Sequence, residues 1–193
     1  MMRCMALNIS TSLNVFATST EEAISLCRRV GFERLDYNYT DFQERFFNMT
    51  WEEEEQVAQA IRAAADQAGV RFTQMHGPVH GSSFSSLYHG MDIDSFFRLA
   101  QRSIRTASII GAPWVVFHPG NWGDMYDSLE RNLQYNCDLF RRMIPELERT
   151  GVGIALENMY DRRHPRTGIV LRHFAAVPEA LCELVDRMNH PLI

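Results

Sequence analysis

The chain is poor in the features that mark secreted, membrane or nucleic-acid-coating proteins. Its 193 residues include four cysteines, Cys4, Cys27, Cys137 and Cys182, widely spaced and without a C-x-x-C pair. That spacing argues against a disulfide framework and for small buried hydrophobes in a reducing compartment. There is no N-terminal apolar run with the layout of a signal peptide, and no segment nears the ~20 apolar residues that cross a bilayer. A cytoplasmic protein with no membrane partner is therefore expected. Basic residues do not cluster: Arg28-Arg29, Arg141-Arg142 and Arg162-Arg163 are isolated doublets on a chain of net charge -5. Nothing resembles a basic stripe along a phosphate backbone, which weighs against nucleic acid. Low-complexity stretches and interdomain linkers are also missing.

What the chain does have is apolar content, 46% of residues, ample for one core over 1–193. It also has a recurring layout. Trp114 to Phe117 reads as a buried parallel strand that runs into a turn with His118 at its C-terminal lip. Arg71 to Met75 ends in the same way on His76, Gly153 to Leu156 on Glu157, and Glu33 to Asn38 places Asp36 and Asn38 alike. Asp36, His76, His118 and Glu157 are 40, 42 and 39 residues apart. Such a period fits one strand, one helix and two loops, so polar groups from successive strands converge on one rim.

Helical patterns fill the intervals. Met5 to Ile9 reads as a first strand opening into the polar Ser10-Thr11-Ser12. Ser19 to Glu22 and Thr50 to Glu53 fit the capping box, with Gly31 and Gly69 as stops. The acidic run Glu52 to Glu55 is explained by the positive end of a helix dipole. A third helix follows Asp92-Ile93-Asp94. A fourth begins near Tyr126 and is interrupted at Pro145, and a fifth starts at Pro178. The tail Asn189 to Ile193 reads as the opening of a further strand. Strand, loop and helix repeated five times imply a parallel sheet with helical crossovers. The fold class expected is α/β, a partial (β/α)8 TIM barrel of about five units plus the start of a sixth strand, a full barrel taking ~250 residues.

Alternate residues of a strand share a face, so Val116 lies beneath His118, Gln74 beneath His76 and Ala155 beneath Glu157. Any one histidine at a strand end is explained by a structural hydrogen bond. Two histidines and a glutamate at corresponding ends instead suggest a divalent metal. Imidazole with carboxylate suits zinc or manganese, while magnesium prefers oxygen ligands.

The phrases QMHGPVHG (74–81), APWVVFHPGNW (112–122) and GIALENMY (153–160), with the tail VPEALCELVDRMNHPLI (177–193), resemble the xylose-isomerase-like barrel superfamily. It holds sugar and sugar-phosphate isomerases and epimerases and the type 2 AP endonucleases. The resemblance implies that Glu157 is the fifth-strand metal glutamate and a proton shuttle. His76 and His118 match strand-three and strand-four histidines, zinc ligands in the endonuclease branch and site-lining positions in isomerase-like members. The cofactor implied is Mn, Zn or Mg. The superfamily pattern continues with ligands on strands six to eight that have no counterpart here, so only the N-terminal five-eighths is matched.

The function expected is that of a metal-dependent isomerase or epimerase acting on a small-molecule sugar or sugar phosphate, moving a proton through an enediolate. As a partial chain it is expected to be weakly active alone. Asp36 and Asn38 are candidates to bind substrate hydroxyls or to orient His76. Trp122 could stack on a sugar ring or simply pack in its loop. His80 could cover the site or stay solvated, and Asn158 could touch a ligand or cap a loop. Two alternatives stand beside this reading. One is a zinc-dependent AP endonuclease relative. The other is a non-catalytic chain that forms a homo-oligomer through its open barrel seam.

Overall fold

The computed structural model describes residues 10–13, 18–79, 93–121, 128–163 and 166–193. In chain order the strands are β1 (Ser10–Ser12), β2 (Arg34–Asn38), β3 (Arg71–His76), β4 (Trp114–Phe117) and β5 (Gly153–Leu156). The helices between and after them are α1 (Thr20–Arg29), α2 (Gln43–Phe47), α3 (Trp51–Ala68), α4 (Ile93–Ile110), α5 (Leu129–Arg141), α6 (Ile144–Thr150) and α7 (Pro178–Met188). The five strands form one sheet in sequence order, every neighbouring pair parallel. A parallel neighbour cannot be reached by a tight turn, so each step crosses through a helix. The open flank of β5 already carries a partner. Gly153 and Glu157 donate their N–H groups to Pro113 and Phe117, while the intervening Ile154 N–H turns away to the Leu192 carbonyl at 2.7 Å. Leu192 itself lies in a turn beside the flank of β5.

Local chemistry explains most element boundaries. Thr50 accepts from the Glu53 N–H while the Glu53 carboxylate accepts from the Thr50 N–H, a complete capping box. Ser19 caps α1 by accepting from the Glu22 N–H, but Glu22 turns its carboxylate to the Thr18 hydroxyl. Gly69 ends α3 in the left-handed region at φ 68°, where a side chain is disfavoured. Pro145 does interrupt the fourth helix: it lies in the first turn of α6, where a missing N–H costs little.

Several expectations need correction. The first described strand is Ser10–Ser12, expected to be loop, whereas Met5 to Ile9 lies outside the described residues. Trp114 is 43% exposed rather than buried; its indole lies across Gly153, where a Cβ would collide with the ring. Cys27 and Cys137 are buried as expected, but Cys182 is exposed. An unexpected 3-10 turn over Tyr39–Phe42 and the short α2 intervene between β2 and α3.

Glu54 departs furthest from the dipole explanation. It is fully buried, accepts from the Tyr39 hydroxyl at 3.0 Å and the Thr106 hydroxyl at 2.7 Å, and pairs with Arg102 at 2.5 Å. Arg102 in turn donates to the Met49 and Thr50 carbonyls. This network ties the segment after β2 to α3 and α4.

Candidate metal centre

The sheet register decides which side chains share a face. In β4 and β5, Val116 pairs with Ala155 and Phe117 with Leu156, and the Glu157 N–H bonds the Phe117 carbonyl at 3.0 Å. His118 and Glu157 therefore continue the Val116–Ala155 face one step beyond the strand ends. His76 pairs with Val116, which puts its side chain on that face as well. Asp36 and Asn38 pair with Gln74 and His76, so β2 contributes to the same side.

The side chains meet. His118 Nε2 stands 2.8 Å from Glu157 Oε2, and His76 Nε2 stands 3.5 Å from the same oxygen. The two imidazoles lie nearly perpendicular, at 79°, with centroids 6.3 Å apart. One donor atom from each of His76, His118 and Glu157 falls within 4.8 Å of the others, and no other such trio of His, Cys, Asp or Glu occurs among the described residues. Glu157 Oε2 is buried and forms no well-directed hydrogen bond. A buried carboxylate oxygen flanked by two imidazole nitrogens suits a cation. Tetrahedral zinc with ligand bonds of ~2.0–2.2 Å places its donors roughly 3.4 Å apart. The two separations to Glu157 Oε2, 2.8 and 3.5 Å, lie either side of that spacing, so the residues could hold a divalent ion.

Behind His76 lies Asp36. Its side chain is only 10% exposed, against 40% for Glu157, and Oδ2 approaches His76 Nδ1 to 3.0 Å while accepting from Gln74 Nε2 at 3.3 Å. The pKa of His76 is raised above its ordinary 6.5, first because the Asp36 carboxylate holds the protonated ring, with burial opposing.

A family model described as a xylose isomerase-like TIM barrel matches residues 24–193. The chain belongs to that family. No curated protein matches it. Among solved structures, a 3-keto-D-glucoside 4-epimerase from E. coli is 14% identical with a TM-score of 0.67, covering 96% of this chain and 65% of its own. A D-allulose 3-epimerase from Methylomonas sp. is 13% identical with a TM-score of 0.66, covering 96% and 60%. A xylose isomerase domain protein from Alicyclobacillus acidocaldarius is 17% identical with a TM-score of 0.62, covering 95% and 60%. The chain thus spans about two-thirds or less of the length of these structures, and the likeness at such identity is one of fold.

In this member of the xylose isomerase-like family, two buried asparagines hold the centre's loops. Asn136 of α5 accepts from the Gly120 N–H and donates to the Gly120 carbonyl, both at 2.8 Å. Asn121 donates to the Arg172 carbonyl and accepts from the Phe174 N–H at 2.7 Å. The turn after His118 is thereby fastened to α5 and to the segment that returns from β5. That segment carries a short antiparallel ribbon of β6 (Arg162–Arg163) and β7 (Val170–Leu171). Sequence reasoning missed both asparagines because a turn-flanking Asn121 and a helical Asn136 carry no distinctive spacing.

The other candidates divide. Asn158 is exposed beside Glu157, and Asn38 lies on the site face with its Oδ1 buried and unpartnered. Asp36 is turned toward His76 and Gln74. Trp122 and His80 lie outside the described residues. No helix among the described residues is long and apolar enough to cross a membrane.

Proposed function

We propose that this chain, one incomplete barrel domain over 1–193, carries the first part of a metal-dependent sugar isomerase or epimerase site. The observation behind the reading is the convergence of His76, His118 and Glu157 from three adjacent parallel strands onto donors within 4.8 Å. These three side chains would hold a divalent ion, zinc or manganese suiting the mixed nitrogen and oxygen donors better than magnesium. Such an ion supplies a Lewis acid that polarises a substrate carbonyl.

The chain's own residues do the rest. Glu157 is the more exposed of the two carboxylates, 40% against 10% for Asp36. It is therefore placed to meet a ligand and to take or return a proton at the carbon beside that carbonyl. Asn38, on the site face of β2, and Asn158, next to Glu157 in the chain, carry amides that can hold hydroxyl groups. The substrate is a small-molecule sugar or sugar phosphate. The solved epimerases of the same fold support this class, and alone the chain is expected to turn over weakly.

Calorimetry with zinc and with manganese tests the metal centre. Wild type should take up one equivalent, and Glu157→Gln should lose more affinity than the ~10–100-fold that removal of an outer partner costs. Solvent-deuterium exchange into a panel of ketoses tests the chemistry; metal uptake without any exchange would leave a binding site and no isomerase. The pair of histidines also favours a second reading, an AP endonuclease relative. Cleavage of an abasic duplex that disappears in His118→Ala would select it.

A further inference from the structure

The register between β2 and β3 is broken once. Leu35 pairs with Phe72, but the next residue, Asp36, pairs with Gln74, so Thr73 is an extra residue in β3. Because the side-chain period of a strand is two, a one-residue slip exchanges its faces. In an unbroken register Asp36 would lie beside Thr73, and His76 would share the face of Leu35 and Tyr37, which belong to the apolar core. The bulge reverses this. Phe72 and Met75, three apart, both stay in the core, and Gln74 and His76 turn to the face of Asp36 and Asn38. Bulges are a recurrent means of re-aiming a side chain beside a functional site.

The consequence is a contact that neither strand makes unaided. Asp36 is 7% exposed. Its Oδ2 lies 3.0 Å from His76 Nδ1, within ion-pair reach although the two are not aligned as a hydrogen bond, and Gln74 Nε2 donates to the same oxygen at 3.3 Å. The opposite ring nitrogen, Nε2, is the one that faces Glu157. A buried carboxylate on one imidazole nitrogen keeps the proton there and leaves the other with its lone pair outward. We infer that Asp36 is a positioning residue: through the bulge at Thr73 it reaches His76 Nδ1, holds the ring as the Nδ1–H tautomer and presents Nε2 to the cation. Asp36 is thus withdrawn from substrate. The inference rests on the metal-site reading for its effect on affinity, but not for the tautomer.

Nitrogen NMR of the imidazoles in the metal-free protein, at alkaline pH where the rings are neutral, tests it directly. Wild type should show His76 as Nδ1–H. Asp36→Ala should shift it toward the Nε2–H form, and Asp36→Asn, whose amide oxygen can still accept, should keep Nδ1–H. With zinc alone as the probe, Asp36→Ala should bind ~10–100-fold more weakly than wild type, with Asp36→Asn between them. A wild-type His76 in the Nε2–H form, or a tautomer unmoved in Asp36→Ala, would overturn the inference. A wild type that binds no zinc would instead remove the metal-site reading, and the tautomer would still decide the role of Asp36. Should the alanine variant fail to fold, Asp36→Leu and Asp36→Asn carry the same comparison.

Discussion

At the scale of single residues, the position after His76 shows how closely the site depends on packing. A Cβ at Gly77 would meet the Phe117 ring at 2.8 and 2.9 Å and Val115 at 3.0 Å, and Phe117 is itself buried in the core. Gly77 also donates its N–H to the Val116 carbonyl at 2.9 Å, so the backbone cannot retreat without breaking the β3–β4 pairing. Gly77→Ala is therefore expected to cost about 1–3 kcal/mol, as overpacked cores do. Urea denaturation should read that loss. Zinc titration of the folded fraction should show weaker binding, because the strain falls beside His76, a proposed ligand. An unchanged denaturation midpoint would mean that Phe117 moves aside freely.

Between elements, two buried carboxylates hold the helical layer, and they answer to different measurements. Glu54 binds α3 to α4 and to the segment after β2. Replacing it leaves Arg102, whose side chain is 17% exposed, without its counter-charge. Glu54→Ala should cost about 3–5 kcal/mol, whereas Glu52→Ala, two residues earlier on the surface, should stay within about 0.5 kcal/mol. Equal effects would restore the helix-dipole explanation for the whole acidic run. Glu146 in α6 sits between Arg105 of α4, at 2.8 Å, and Arg149. Burial raises its pKa, but the two guanidinium groups outweigh that and leave it below the ordinary 4.5. A depressed carboxylate stabilises the fold at pH above its unfolded value and loses that contribution as pH falls through the folded one. Stability should therefore decline below about pH 4.5, and Glu146→Gln should flatten that part of the acid-denaturation profile.

For the whole molecule, the metal reading becomes a stability statement. A ligand that binds only the folded state at a hundred times its dissociation constant adds ~2.7 kcal/mol. For a chain of this size that is a rise in melting temperature of roughly 5–10 °C. Zinc should produce such a shift in wild type and not in Glu157→Gln, read by differential scanning fluorimetry. The sheet carries a second expectation. Among the described residues, β1 and β5 lie at its two edges, and Tyr160, four residues past β5, is 66% exposed. A strand edge with apolar neighbours, even one partly covered as β5 is by Leu192, favours pairing with another chain. Light scattering on the 193-residue chain should accordingly give a mass above that of one copy, rising with concentration.

Much of this protein could be read before its structure, and for a definite reason. Strand ends, caps and the ligand-type residues His76, His118 and Glu157 follow from short-range rules: period two in strands, hydroxyl and carboxylate at helix starts, glycine where φ is positive. Even the bulge left a trace, since Phe72 and Met75 stand three apart where a regular strand would space its core residues by two. The contacts that depend on distant segments were not readable. Glu54 looked like a surface acid because its burial is decided by the approach of α4 some fifty residues later, and Cys182 looked like core because exposure depends on what lies over α7. The chain alone determined which groups stand at the rim. Only the tertiary structure decided that Asp36 serves His76 rather than a substrate, because a one-residue change of register between two strands selects the face on which every later side chain emerges.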